Sequence, residues 1–214
     1  MSIAVIQRKC SSLIYRTLRG IQYIKERAAG VDFSTPVDKD AAGTGLLSDA
    51  LNYESSAFVP ELRKALKFLN ISKSDSILDY GSGKGGVLVA LRSFPFRRIA
   101  GIEYSESLLE VSRKNFEQLA IHDLELIHDD AQQFTDIDDF NYFYFFNPFQ
   151  GKIFEKVIDN IVRSYMINNR SIHLIYYYPK CHDVIMSTGK FSLIKSFVSG
   201  SRVLNIYKIS STNN

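Results

Sequence analysis

Residues 77–86 read I-L-D-Y-G-S-G-K-G-G, an apolar run that ends in an acid and then in glycines. This is the pattern of a strand followed by a turn from which side chains are excluded. A ligand can come close to such a backbone, and the helix that follows offers unpaired N–H groups at its start. The acid, Asp79, constrains what that ligand is. A carboxylate two residues before the first glycine repels a diphosphate and attracts an ammonium or a sulfonium. Asp79 can also brace the turn by accepting loop N–H groups, and the two roles are compatible. A nucleoside-triphosphate P-loop is excluded, because Lys84 lies inside the glycine run and no Ser or Thr follows it.

Two glycine patterns overlap here. Gly81, Gly83 and Gly86 satisfy the G-x-G-x-x-G of dinucleotide sites. Gly81, Gly83 and Gly85, with Ser82 between the first two, satisfy the G-x-G-x-G of loops that hold S-adenosyl-L-methionine (SAM). Three further polar positions close apolar runs. Glu103, followed by Tyr104, ends R-I-A-G-I-E, and an acid there can accept both hydroxyls of a ribose in either cofactor class. Asp130 and Ala131 follow L-E-L-I-H within H-D-D-A, where an acid can meet an adenine amino group or cap a turn. Asn147 stands in F-F-N-P-F. Its amide carbonyl can hold an amine with the lone pair facing a methyl carbon, although Asn-Pro also makes a plain turn. Open parallel sheets bind ligands beyond the C-terminal ends of their strands, and all four positions fall there.

D-Y-G-S-G-K-G, G-I-E-Y, H-D-D-A and F-F-N-P-F together resemble the motifs of class I SAM-dependent methyltransferases over residues 50–210. More narrowly the chain is similar to a bacterial group with a basic N-terminal helix, a G-V-D-x-S loop (residues 30–34) and a Y-E-x-S element (residues 53–56). A more distant similarity is to the non-SET histone-lysine methyltransferases, which place a tyrosine-bearing loop ahead of the first strand. The resemblance implies SAM as cofactor. Gly81, Ser82, Gly83 and Gly85, with Asp79 beside them, would hold its methionine part. Glu103 with Tyr104 would hold the ribose, and Asp130 with Ala131 the adenine; Asn147 and Tyr53 would border the transfer site. The single proline of N-P-F departs from the N-P-P-Y or D-P-P-Y of amino-methyltransferases acting on DNA and glutamine, so their substrates do not carry over. In-line transfer from an activated donor asks mainly for alignment and exclusion of water. A base is needed only for an acceptor that arrives protonated, and Tyr53, Glu54 and His182 are the candidates. The acceptor atom, nitrogen or oxygen, on a small molecule or a protein lysine, is not specified by these motifs.

The elements that must position these residues alternate. Strands are predicted at 76–80, 98–103, 124–128, 141–146 and 171–178, and helices at 60–69, 85–93, 106–119, 152–166 and within 180–187. Beta–alpha alternation with apolar strands such as Y-F-Y-F-F implies a doubly wound, Rossmann-like α/β sheet. The runs 190–198 and 202–209 are separated by S-G-S alone, which forces an antiparallel hairpin and completes a seven-stranded, mainly parallel sheet. The expected organisation is an N-terminal helix and lid-like loop (1–56), a SAM-binding domain (57–210) and a ragged tail (211–214). At 214 residues, with 45% hydrophobic and 23% charged residues and a net charge of +3, the chain reads as one soluble, cytoplasmic domain with no clear nucleic-acid signal. Cys10 and Cys181 form no C-x-x-C pair, and the four histidines have no ligand spacing, so no metal is expected.

Apolar residues recur at helical spacing from Ile3 to Ile24, interleaved with Arg8, Lys9, Arg16, Arg19, Lys25 and Arg27 against Glu26 alone. Burial of this stripe on the chain's own core or on a partner subunit is the expected arrangement; a surface-lying membrane anchor or an organellar transit peptide is the alternative. No stretch is long enough to cross a bilayer. Two other classes compete with a methyltransferase. A nicotinamide-dependent oxidoreductase is opposed by Asp79 and the final hairpin. A non-catalytic SAM-fold subunit would dock through its basic N-terminal helix.

Overall fold

The computed structural model of the chain describes residues 17–37 and 59–209. A helix over residues 17–28 (α1) leads into the G-V-D-F-S loop, and α2 (Pro60–Leu69) precedes the sheet. Proline opens α2 where its missing N–H costs nothing, and Asn70 closes it with left-handed backbone at φ 51°. There follow β1 (Ser76–Tyr80), α3 (Gly86–Leu91), β2 (Arg98–Glu103), α4 (Glu106–Gln118), β3 (Glu125–His128) and β4 (Tyr142–Phe145). The chain ends with α5 (Gly151–Ile167), β5 (Ile172–Tyr177), α6 (His182–Ser187), β6 (Ser192–Ser199) and β7 (Arg202–Ile209). Element ends differ from the sequence expectation by a residue or two. At α3, for example, Gly85 in left-handed backbone delays the first turn.

The strands form one seven-stranded sheet in the order β3-β2-β1-β4-β5-β7-β6. Neighbours from β3 to β5 pair in parallel, while β7 runs antiparallel to both β5 and β6, which is the expected final hairpin. The order reverses between β1 and β4, so a crevice opens beyond the ends of those two strands. Period-two alternation sorts the strand side chains into two cores. Leu78, Tyr80, Phe143, Phe145 and Tyr176 pack beneath Phe154, Val157, Ile158 and Ile161 of α5. Ile77, Tyr142, Tyr144, Ile175 and Tyr177 pack against Leu62 and Leu66 of α2 and Val87 and Leu88 of α3. Most of the aromatic wealth of β4 and β5 is therefore core. Asn141 fixes the start of the β1–β4 pair: its Oδ1 accepts the Ser76 N–H at 2.8 Å and its amide donates to Asp75 Oδ1 at 2.7 Å.

β6 is largely exposed, and a register irregularity between Leu193 and Lys195 interrupts its pairing with β7. The N-terminal helix departs from the first of its expected arrangements, burial on the chain's own core. In the described part of the N-terminal helix, the apolar stripe is not buried on the core: Leu18, Ile21 and Ile24 are exposed, and Glu26 is the residue that α1 buries. Glu26, the one acid in a basic run, accepts from the Phe33 N–H at 3.2 Å, Ser34 Oγ at 2.7 Å and Gln22 Nε2 at 3.1 Å. Buried acids need such partners, and the loop supplies them. Among the described residues no helix is long and apolar enough to cross a membrane, and no group of His, Cys, Asp and Glu is placed to hold a metal ion.

Candidate active site

The glycine loop leaves β1 through three left-handed residues, Gly81, Gly83 and Gly85, with φ of 75°, 54° and 81°. Glycine enters this region freely, whereas other residues pay for it. Space forbids side chains as well. A Cβ on Gly81 would lie 2.6 Å from Pro148 Cβ, and one on Gly85 would lie 2.6 Å from the Phe116 ring. The first contact answers a question of position: the N-P-F turn after β4 lies directly against the glycine loop. Even Gly101 in β2 is required, since its Cβ would meet Ser82 Cβ at 2.5 Å.

The loop N–H groups do not go to Asp79. Those of Gly81 and Ser82 donate to the Ile102 carbonyl at 2.9 and 3.1 Å, and that of Gly83 donates to Glu103 Oε2 at 2.9 Å. Glu103 Oε1 accepts the Ser105 N–H at 2.9 Å. The bracing role that the sequence offered Asp79 thus falls to Glu103, whose oxygens keep spare acceptor capacity. From α4, Ser112 Oγ donates to the Gly83 carbonyl at 2.8 Å and Asn115 Nδ2 donates to that of Lys84 at 3.1 Å. Lys84 itself is buried and turns away from the crevice. Its ammonium meets Asp32 Oδ2 at 2.6 Å and the Thr35 carbonyl at 2.9 Å. Asn115 also accepts the Asp32 N–H at 2.8 Å. Burial works against the Asp32 carboxylate, yet the bonds from Lys84 and Thr35 outweigh it and hold its pKa below the usual range. The G-V-D-F-S loop is in this way cinched to the glycine loop.

Sequence reading missed this strap, together with Ser112, Asn115 and the role of Glu26. Asp32 and Lys84 were both visible in motifs, but nothing in a linear reading pairs residues 52 positions apart.

Asp79 and Glu103 sit together at the ends of β1 and β2, 2% and 8% exposed. Burial, then the neighbouring Glu103 charge, pushes Asp79 well above the usual carboxylate range. Glu103 is raised too, chiefly by burial, against the pull of its backbone N–H donors. Two crowded, buried acids fit a cationic ligand and oppose a diphosphate. This donor set suits SAM, whose amino-acid end carries an ammonium beside a sulfonium.

The same pair gives an expected pH dependence. A raised carboxylate pKa means that the folded protein holds the proton to higher pH than the unfolded chain does. Without ligand, stability therefore declines as pH rises through the interval between the two pKa values. A cation favours ionised Asp79 and draws its pKa back down. SAM affinity is accordingly expected to increase with pH across the Asp79 titration, with protons released on binding. Calorimetry in buffers of different ionisation enthalpy measures that release; a pH-independent affinity without it would detach Asp79 from the donor's charge.

The remaining sequence candidates divide. Tyr104 is exposed, and its carbonyl bonds His128 Nε2 at 3.0 Å, while His128 Nδ1 lies 3.0 Å from Glu106. Asp130 Oδ1 accepts the Gln132 N–H at 2.9 Å, so this carboxylate caps the turn, and Ala131 packs against the α5-side core. Asn147 is left-handed, at φ 47°, and its Oδ1 accepts the Tyr176 hydroxyl at 3.4 Å. Tyr178, at the neighbouring strand end, is also left-handed at φ 53° and stacks on Phe146. Non-glycine residues in this region carry strain of the kind concentrated at functional sites. His182 Nδ1 bonds the Tyr207 hydroxyl at 2.8 Å. Tyr53 and Glu54 lie outside the described residues.

A methyltransferase-domain family matches residues 71–197, from just before β1 into β6. Among solved structures, similar folds include an RNA methyltransferase from Salinibacter ruber in complex with S-adenosyl-L-homocysteine. It is 16% identical at TM-score 0.52, covering 72% of this chain and 94% of that one. A putative SAM-dependent methyltransferase from Methanococcus maripaludis is 14% identical at TM-score 0.54, covering 71% and 84%. Curated relatives include demethylmenaquinone methyltransferases of Listeria welshimeri and Listeria monocytogenes, 26% identical over 73 residues, or 33% of this chain and 31% of theirs. The match thus spans about a third of the length of those relatives. The chain belongs to the methyltransferase-domain family, and it shares its fold with these methyltransferase structures.

Proposed function

We propose that the chain methylates a nucleophilic nitrogen or oxygen held against Asn147, beyond the ends of β4 and β5. The observation that supports this reading is the placement of the N-P-F turn: Pro148 abuts Gly81, and Asn147 just before it has left-handed backbone and a side-chain carbonyl that accepts the Tyr176 hydroxyl. SAM supplies an already activated methyl carbon. The protein's residues then have three tasks. Asp79 offers its charge to the donor's amino-acid end, and Glu103 meets the ribose while holding the Gly83 N–H. Asn147 directs the acceptor's lone pair, with Phe146 and Tyr178 as an aromatic wall that would favour a methylammonium product. Alignment of this kind accounts for most of what a transferase must add to an activated donor. Tyr53 and Glu54 are proposed to complete the acceptor side. The Listeria relatives are named for a quinone acceptor, but a match over a third of each chain does not carry that acceptor across.

Asn147→Ala tests the assignment. Release of S-adenosyl-L-homocysteine from SAM would be followed across amine and hydroxyl acceptors, with binding of the product measured in parallel. Turnover is expected to fall by about a hundredfold or more, the cost of losing a positioning contact, while product affinity stays near wild type. Parallel losses in both would make Asn147 a donor-binding residue instead.

A further inference from the structure

Within G-S-G-K-G-G, residues 81–86, Lys84 is the one ionisable side chain, and that side chain is only 3% exposed. A buried ammonium is costly unless it is paired. Asp32 supplies the pairing at 2.6 Å, beside the Thr35 carbonyl at 2.9 Å. The other Asp32 oxygen accepts the Thr35 N–H at 3.0 Å, so both oxygens are engaged. The backbone beneath this carboxylate is fixed as well. Asn115, itself buried, accepts the Asp32 N–H at 2.8 Å and donates to the Asp32 carbonyl at 2.9 Å and the Lys84 carbonyl at 3.1 Å. One amide on α4 thus holds the carboxylate and the lysine in register.

We infer that Asp32, acting through Lys84, sets the site's preference between the methyl donor and the spent product, given SAM as the donor proposed above. SAM carries an ammonium, a carboxylate and a sulfonium. On transfer the methyl carbon bonds to the acceptor, the sulfur keeps the electron pair of the broken S–C bond, and the sulfonium becomes a neutral thioether. Donor and product therefore differ by one positive charge in nearly the same shape. An unopposed cation in the glycine loop acts on that difference and disfavours the donor. Asp79 and Glu103 offset it only in part, because burial favours their protonated forms. With Asp32 in place the loop presents a neutral pair instead. A strap with a purely mechanical role would change both affinities together.

Paired titrations of SAM and S-adenosyl-L-homocysteine on the full chain test this, read as the ratio of the two dissociation constants. Losses from partial unfolding or a distorted loop are shared by both ligands and cancel in the ratio. Asp32→Asn keeps the backbone bonds to Asn115 and nearly the same shape but removes the charge. Its ratio is expected to shift against SAM by about fivefold, the effect of one unit charge partly shielded by protein. Adding Lys84→Met removes the cation too and should return the ratio to the wild-type value, even where both ligands bind more weakly. Should Asp32→Asn not fold, Lys84→Met alone takes its place with the opposite sign, since an unopposed carboxylate favours SAM. An unchanged ratio in Asp32→Asn, or in Lys84→Met where it stands in, overturns the inference, as does a shift that the double variant does not reverse. A wild type that binds neither compound removes the donor reading, and the inference with it, before any variant is compared.

Discussion

Glu103→Ala is expected to weaken binding of S-adenosyl-L-homocysteine by about tenfold to a hundredfold, the worth of about 1.5–3 kcal/mol for hydrogen bonds to a charged group. The carboxylate has two uses, so two effects are combined. One oxygen holds the Gly83 N–H and the other the Ser105 N–H, which ties the glycine loop to the start of α4. The remaining acceptor capacity serves the ribose in the proposed site. Isothermal calorimetry gives the total. An analogue lacking the ribose hydroxyls separates the parts: it should bind the wild type weakly, and the variant no worse than the natural product does. Glu103→Gln should recover little, because its amide must either face a backbone N–H or leave one unmet. Full affinity in Glu103→Ala would remove the residue from the donor site.

Gly81→Ala is expected to destabilise the fold as well as the site. The added methyl must adopt left-handed backbone at φ 75°, which costs about 1–2 kcal/mol for an ordinary residue. It must also displace Pro148, whose Cβ would be 2.6 Å away, at about 1–3 kcal/mol for overpacking. Pro148 belongs to the turn that sets Asn147, so any relief by moving that turn disturbs the transfer side too. A denaturant midpoint shift of this combined size, with reduced product binding, is the expected result. Gly189→Ala is the matched control, since it shares positive φ but has open space around it. Equal losses at both positions would show that backbone strain alone acts at Gly81.

The parts of this enzyme that were legible in its sequence are those where only one residue type suffices. Gly81, Gly83 and Gly85 announce left-handed backbone, and Glu103 and Asn147 announce themselves by closing apolar runs. The mainly parallel sheet followed from the alternation of strands with helices, and the final antiparallel pair from a connection too short for anything else. What stayed hidden is pairing over long separations. The position of Glu103 at the end of β2 was readable but its clamp on Gly83 was not, because a carboxylate's partner leaves no trace in spacing. Asn115, on a helix whose polar face looked ordinary, holds both Asp32 and the Lys84 carbonyl. Periodicity in residues 3–27 announced a helix with two faces without saying which one turns inward. The single acid among six bases was the available clue to that orientation, since a lone carboxylate in such company has a purpose other than solubility.

The ammonium of Lys84 sits under the cofactor loop with its carboxylate partner contributed from the far side of residues 38–58. A fragment trimmed to begin at Val59 would retain all seven strands and yet strand a cation in a buried place. The chain ahead of the sheet is therefore no appendage to a self-sufficient catalytic module. It is the counter-charge on which that module's most delicate turn depends, and evolution cannot shed or exchange it without also rewriting position 84.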